Sequence, residues 1–304
     1  MKLFSTKELY MEACHKSKDL HIIKDDELVR LQAHLRRMYV EIEKVCDRHG
    51  LKMMLAFGSV LGAVRHQGFI PWDDDIDLFM PRADYDRLIN LYSDELPSEY
   101  KIFAPNSKNG PIYRFAKVVD TSTRLLFSSN DDGSEKNGIF VDIFPLENAP
   151  QGLPKIKWQQ FKACFLMYVA TSVSDYENDS KDKKKLMCSS PVGMFNYYFR
   201  YGLGFLFSWR DSTFWYDVFD RAVSRYPESC GYDVPSNGPS NHNYRPLAQD
   251  LFLPVKRVKF DDIEAYIPNK AEEYLTYEFG DWHRVPPENE RWMHFISKVR
   301  YNVR

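Results

Sequence analysis

Apolar and polar positions follow three rhythms along this chain. Between residues 27 and 49, Leu28, Leu31, Leu35, Met38, Ile42 and Val45 recur three or four apart, the spacing of one buried helix face. Asp25 or Asp26 can cap that helix, and His49-Gly50 ends it, glycine supplying the terminating conformation. Leu51 to Phe57 is short and apolar and predicts a buried strand. Gly58-Ser59 then opens a run of helical character. From Asp73 the period becomes two: Asp73, Asp75 and Asp77 fall on one face of a strand, and Ile76, Leu78 and Met80 on the other. Arg82 to Leu96 returns to helical spacing, with Tyr85, Leu88, Ile89 and Tyr92 inward and Pro97 as the stop.

Further strands are predicted at Tyr100–Phe103, Ile112–Val119, Thr123–Phe127 and Gly138–Pro145. The second of these carries Arg114 and Lys117, and the last sets Asp142 in an otherwise apolar run. Residues 150–245 change character. Trp158 to Val173 is helical and apolar, and Phe195 to Phe219 is dense in aromatic residues, while Ser224 to Arg245 has the Pro, Gly, Ser and Asn content of a loop. Strand character resumes over Leu251–Ile267 with a turn at Asp261-Asp262. Asn269 can cap a final helix that ends at Gly280. The chain thus divides into an N-terminal helical segment (1–50), a core (51–149), a helical, aromatic-rich insertion (150–245) and a C-terminal part (246–304) that completes the core.

Composition narrows the function classes. A net charge of -2 over 304 residues gives no bulk attraction to nucleic acid. The five cysteines are scattered with no C-x-x-C pair, so neither a zinc site nor a disulfide framework is indicated, and a reducing cytosol fits. The N-terminus lacks a signal-peptide core, and no apolar run approaches the roughly 20 residues of a membrane span. A cytoplasmic protein is expected. The aromatic insertion and the run Lys181-Asp182-Lys183-Lys184-Lys185 admit two readings: a helical subdomain with an aromatic core, or a surface that rests on a membrane or holds a lipid-linked acceptor.

The chemistry concentrates between Phe57 and Pro81. Carboxylates stacked on one face repel one another unless positive charge sits among them, and a hard divalent cation with oxygen ligands is the natural resident. An EF-hand is excluded, because its sixth and twelfth loop positions would be Leu78 and Asp84 rather than Gly and Glu. Strand, Gly58-Ser59 turn and helix N-terminus form an arrangement suited to phosphate. Asp142 is either an acid satisfied by local donors or a further carboxylate for the same cation. A Gly-Ser turn, an Asp-x-Asp and a later strand Asp make a metal-assisted phosphoryl-transfer layout. Arg65, Arg114 and Lys117 are candidates to offset charge on the phosphates or the leaving nucleotide.

Gly58-Ser59-Val60-Leu61-Gly62-Ala63-Val64-Arg65-His66 with Gly68-Phe69-Ile70-Pro71-Trp72-Asp73-Asp74-Asp75-Ile76-Asp77 closely resembles the LicD family, which includes the fukutin-related enzymes. Lys117-Val118-Val119-Asp120-Thr121, Val141-Asp142-Ile143-Phe144-Pro145-Leu146 and the tail Tyr277-Glu278-Phe279-Gly280-Asp281-Trp282 with Pro286-Pro287 look like further landmarks. The tail differs from the commonest family form, which has Tyr-Gly. The resemblance implies an α+β, nucleotidyltransferase-like fold with a mixed sheet and flanking helices. It implies transfer of a phospho-alcohol, phosphocholine above all, from a CDP-linked donor to a glycan hydroxyl, releasing CMP. Asp75, Asp77 and Asp142 would hold Mg²⁺, with Mn²⁺ as an alternative. Asp73 would act as base or supporting acid, and Gly58 and Ser59 would hold donor phosphate. A choline ammonium would seek aromatic walls, for which Trp72, Tyr113, Tyr244 and Trp282 are candidates. Two rival functions use the same residues: nucleotidyl transfer with release of pyrophosphate, and non-catalytic binding of glycan or membrane.

Overall fold

The computed structural model describes residues 23, 25–91, 95–126, 134–179, 184–185, 187–226, 231–233, 246–288, 291, 296 and 298–303. The first helical stripe becomes α1 (Asp25–His49). Asp25, Asp26 and Glu27 lie in its first turn and Arg48 and His49 in its last, so both ends complement the helix dipole. Leu31, Leu35, Met38, Ile42 and Val45 are buried, and Gly50 ends the helix at φ +62°.

Five strands follow in the core: β1 (Met54–Leu55), β2 (Asp77–Pro81), β3 (Tyr100–Phe103), β4 (Ala116–Asp120) and β5 (Arg124–Leu126), then the long β6 (Ile139–Asn148). With β7 (Tyr232–Asp233) they build a six-stranded mixed sheet of order β1-β2-β6-β4-β3, in which β7 joins the far end of β6; β5 lies outside it. β2 runs parallel to β6, while β4 is antiparallel to it. β6 is buried over nearly its whole length, as a central strand covered on both sides should be. Two helices are threaded between the early strands, α2 (Phe57–His66) and α3 (Arg82–Leu91). The class is α+β, as the sequence implied.

Several boundaries differ from expectation. The strand predicted over Leu51–Phe57 contracts to β1, because Phe57 already belongs to α2. The alternation from Asp73 is not all strand: pairing begins only at Asp77, although burial still alternates from Asp73 through Leu78. The strand predicted over Ile112–Val119 is β4, displaced toward the C-terminus, since Pro111 and the bends through Phe115 delay pairing. The helix from Arg82 is described as far as Leu91; Tyr92 lies outside the described residues. Asn269 does not cap the final helix. Its side-chain amide donates instead to the Asp250 and Leu253 carbonyls.

The insertion holds α4 (Leu153–Glu177), α5 (Pro191–Phe207) and α6 (Ser212–Val223). Ser190 and Asp211 cap α5 and α6 through the amides of Gly193 and Phe214. A buried charge cluster fastens this subdomain to the sheet. Arg82, at the start of α3, donates from Nε to both carboxylate oxygens of Glu147 on β6 at 3.1 and 3.0 Å, and from Nη2 to Asp220 of α6 at 2.8 Å. Glu147 is fully buried, so its charge depends on that guanidinium.

The C-terminal part supplies α7 (Gln249–Phe252), the hairpin β8 (Lys256–Phe260) and β9 (Ile263–Ile267), α8 (Ala271–Phe279) and β10 (Lys298–Arg300), which pairs with β5. Phe252 and Tyr274 pack edge-on against Phe79 of β2, both with ring centroids 5.8 Å away. The last stretch therefore completes the core under the acidic strand.

Arg82→Met tests the fastening. It strands Glu147 and Asp220 without their cation, and urea unfolding should register a loss of about 3–5 kcal/mol. A midpoint and slope equal to those of the unmodified protein would show that the cluster holds nothing.

Candidate active site

Strand register assembles the centre of the site. Pairing of β2 with β6 sets Asp77 opposite Asp142, and pairing of β6 with β4 sets Asp142 opposite Lys117. Cross-strand partners share a face of the sheet, so three separate stretches of chain deliver two carboxylates and an ammonium to one row. A slip of one residue in either pairing would turn part of that row over. Lys117 Nζ donates to Asp142 Oδ1 at 2.5 Å and lies 3.6 Å from the Phe140 ring centroid. The Asp142 side chain thus takes a charged partner rather than resting on local backbone donors alone.

The other acids crowd the same place. Loss of hydration, then the charges of Asp75, Asp142 and Asp73, push the Asp77 carboxyl well above the usual carboxylate range, with Lys117 pulling the other way. Loss of hydration, then Asp75 and Asp74, raise Asp73 likewise, and Asp73 and Asp75 share a side-chain hydrogen bond. Asp73, Asp74 and Asp75 each offer a carboxylate oxygen, and these oxygens lie within 4.8 Å of one another. Asp73, Asp75, Asp77 and Asp142 thus act on one another electrostatically, and Lys117 acts on Asp77 and Asp142 with the opposite sign. An all-oxygen donor set with protons held this tightly fits a hard divalent cation, whose charge would relieve the repulsion.

The Gly-Ser turn is stitched to the acidic strand. Ala56 donates its amide to the Asp77 carbonyl at 2.8 Å, and the Asp77 amide donates to Ser59 Oγ at 3.0 Å. Ser59 is buried, so its hydroxyl positions Asp77 rather than standing open to a ligand. Gly58 is half-buried, and a Cβ there would touch Asp73 Oδ2 at 3.4 Å, so glycine leaves this wall of the cleft clear. The N-terminus of α2 has no side-chain cap. Its dipole is turned toward the same turn, a favourable place for an anion. Phe57 takes φ +41°, a strained value for a residue with a side chain, held by rings of Phe79 and Phe144 at 4.8 and 5.1 Å.

The remaining sequence candidates make other contacts as well. Arg65 sits at the far end of α2, and its Nη1 donates to the carbonyls of Trp282 at 2.8 Å and Arg284 at 3.3 Å. It anchors the tail instead of the phosphate turn. Arg114 precedes β4 in a bend, with its guanidinium 4.2 Å over the Tyr113 ring. Tyr113 itself lies against Tyr216 of α6 at 5.9 Å. Trp72 is half-buried with the Arg291 guanidinium 4.1 Å over its ring, so a cation already takes one face. Trp282 is buried in the core and donates to Thr276 Oγ1, which makes it a structural residue. Tyr244 lies outside the described residues.

Two contributors were missed in the sequence. Asp74, buried among the acids, falls on the apolar side of a two-residue alternation and so drew no attention. Gln32 of α1 donates from Nε2 to the Asp73 carbonyl at 2.9 Å and steadies the acidic turn. It sits among helix-face polar residues, where nothing in the local pattern marks it.

A mixed sheet with strand-borne aspartates beside a helix N-terminus that has no side-chain cap is the arrangement expected of a nucleotidyltransferase-type α+β fold. Residues 50–168 match the model of the LicD/FKTN/FKRP nucleotidyltransferase domain. The chain is also 26% identical over 260 residues to the lipopolysaccharide cholinephosphotransferase LicD of Haemophilus influenzae, covering 84% of this chain and 91% of the relative. Shorter matches are to uncharacterized proteins of Rickettsia typhi, 28% identical over 26% of this chain and 24% of the relative, and of Rickettsia prowazekii, 36% identical over 16% and 19%. Residues 50–168 are thus similar to a LicD-type nucleotidyltransferase domain, and most of the chain is similar to a LicD cholinephosphotransferase.

Two substitutions separate positioning from charge. Ser59→Ala leaves the Asp77 amide without its acceptor and should cost about 1–3 kcal/mol in urea unfolding. Asp77→Asn removes one repelling charge, so the metal-free protein should gain thermal stability while the rise in Tm on adding Mg²⁺ shrinks. An undiminished Mg²⁺ shift in both Asp77→Asn and Asp142→Asn would contradict a cation shared by these side chains.

Proposed function

We propose that the protein transfers phosphocholine, or a similar phospho-alcohol, from a CDP-linked donor to a hydroxyl of a cell-surface glycan or its lipid-linked precursor, releasing CMP. In this reading it is cytoplasmic and works at the inner face of the membrane. The observation that carries the proposal is the row Asp77–Asp142–Lys117 beside the Asp73–Asp75 turn, directly next to the N-terminus of α2. The name of the Haemophilus influenzae relative supports choline phosphate as cargo and a lipopolysaccharide-type glycan as acceptor.

Asp75, Asp77 and Asp142 would hold Mg²⁺ or Mn²⁺, which when bound offsets the charge of the donor diphosphate. Gly58 and the α2 N-terminus receive phosphate oxygens through backbone N–H groups. Lys117 balances charge that grows on the departing CMP. The acceptor oxygen forms its bond to the distal phosphorus, and the bond from that phosphorus to the bridging oxygen breaks, with its electron pair leaving on CMP. We assign the acceptor's proton to Asp73, whose carboxyl already holds protons more tightly than an ordinary carboxylate.

Incubation with Mg²⁺, CDP-choline and candidate glycans should release CMP. Asp75→Asn, Asp77→Asn or Asp142→Asn should each lower kcat by about a hundredfold or more, the scale on which removal of an electrostatic partner is felt. Phosphocholine released in place of CMP, or no CMP from CDP-choline but pyrophosphate from CTP, would replace this reading with nucleotidyl transfer.

A further inference from the structure

In the insertion α4 and α6 share a buried apolar core that includes Val169, Val173, Trp215 and Phe219, whereas α5 turns most of its apolar residues outward. The face of α5 that packs inward carries Gly193, Asn196, Tyr197, Arg200 and Gly204. The face turned to solvent carries Phe195, Tyr198, Phe199, Phe205 and Leu206, with Trp209 just beyond the helix. Phe205, Leu206 and Trp209 are each about two-thirds exposed (66%, 66% and 65%). Arg200, the one charged residue of α5, is turned inward onto Asp175 of α4, to which its Nε donates at 2.7 Å. On α4, Trp158, Phe161 and Phe165 form a second exposed stripe, and ring contacts such as Phe165 with Phe207 join the two helices.

In water this ordering is unfavourable, since it leaves a broad apolar patch uncovered. It is the ordering expected of helices whose outer surroundings are hydrocarbon. The interface between α4 and α5 agrees. Gly204 lies so close to α4 that a Cβ would meet the Ser172 carbonyl at 2.3 Å, and small residues of this kind mediate helix contacts in lipid. No described helix is long and apolar enough to cross a membrane, so the pair would lie in the interface plane.

The charges at the patch favour an anionic lipid surface. Exposed Lys155, Lys157, Lys184, Lys185 and Arg210 flank the aromatic stripes. Three exposed acids lie nearby in the chain, Glu177, Asp179 and Asp211, which accept from the Ser212 amide, the Tyr197 hydroxyl and the Phe214 amide, and the five cations named outnumber them. We infer that α4 and α5 form a membrane-docking face that enters the headgroup region of an anionic bilayer, with Phe205, Leu206 and Trp209 as the inserting residues. The inference deepens the reading that the acceptor is membrane-borne, but its geometry does not depend on the transfer chemistry.

Flotation of the purified full chain with vesicles of phosphatidylcholine and phosphatidylglycerol in equal parts tests it without any donor or acceptor. The protein should float with these vesicles, and bind at least tenfold less to pure phosphatidylcholine. The triple variant Phe205→Ser, Leu206→Ser, Trp209→Ser changes only exposed positions. It should keep its circular dichroism and its CMP release from CDP-choline with a soluble acceptor, yet lose at least tenfold in vesicle binding. Absence of vesicle binding by the unmodified protein would overturn the inference. So would equal binding by the folded triple variant, or a dimer in sedimentation that the same variant dissolves without any vesicle binding, which would make the patch a contact between two copies. Vesicle binding without CMP release would leave the docking face standing and overturn the transfer reaction alone.

Discussion

Repulsion among carboxylates is the constraint on which this structure turns. Asp73, Asp75, Asp77 and Asp142 are held together by backbone pairing that takes no account of their charge, and Lys117 offsets only part of it. Elsewhere the fold answers buried charge with a full complement of partners, as Arg82 does with Glu147 and Asp220. At the acidic turn the carboxylates raise one another's proton affinity at Asp73 and Asp77. Such crowding of carboxylates is costly in a protein interior and is relieved when a cation or a cationic ligand group joins it.

The scaffold around those carboxylates is rigid. The two hydrogen bonds between the 56–59 turn and Asp77 make the α2 N-terminus and the acidic strand one unit. Arg65 and Trp282 then tie the far end of α2 to the tail, and Phe252 and Tyr274 close the core beneath β2. A site that receives a charged ligand gains from having its parts fixed before the ligand arrives.

Much of this was legible in the sequence, for identifiable reasons. The α1 stripe and the apolar run around Asp142 are strong local patterns, and both gave elements of the expected kind. The convergence of Asp77 and Asp142 was an expectation from their residue types, and strand register supplies it. What could not be read were contacts set by packing across long separations. Arg65 has the charge for phosphate, yet the tail carbonyls claim it. Trp282 has the ring for a choline wall, yet the core absorbs it. The two-residue period hid Asp74, because period assigns a face and not a neighbourhood. In the insertion, aromatic density admitted both a core and an exposed surface, and both occur: Trp215, Tyr216 and Phe219 are buried while Phe205 and Trp209 face outward; helical spacing alone does not say which face of an aromatic-rich helix is covered.

The most direct test of the central claim is the position of a bound ion. Crystals grown with Mn²⁺ should show an anomalous scattering peak bounded by the carboxylates of Asp75, Asp77 and Asp142, with oxygen ligands only. A peak confined to Asp73, Asp74 and Asp75 with Asp142 still paired to Lys117, or no peak at saturating Mn²⁺, would contradict the account.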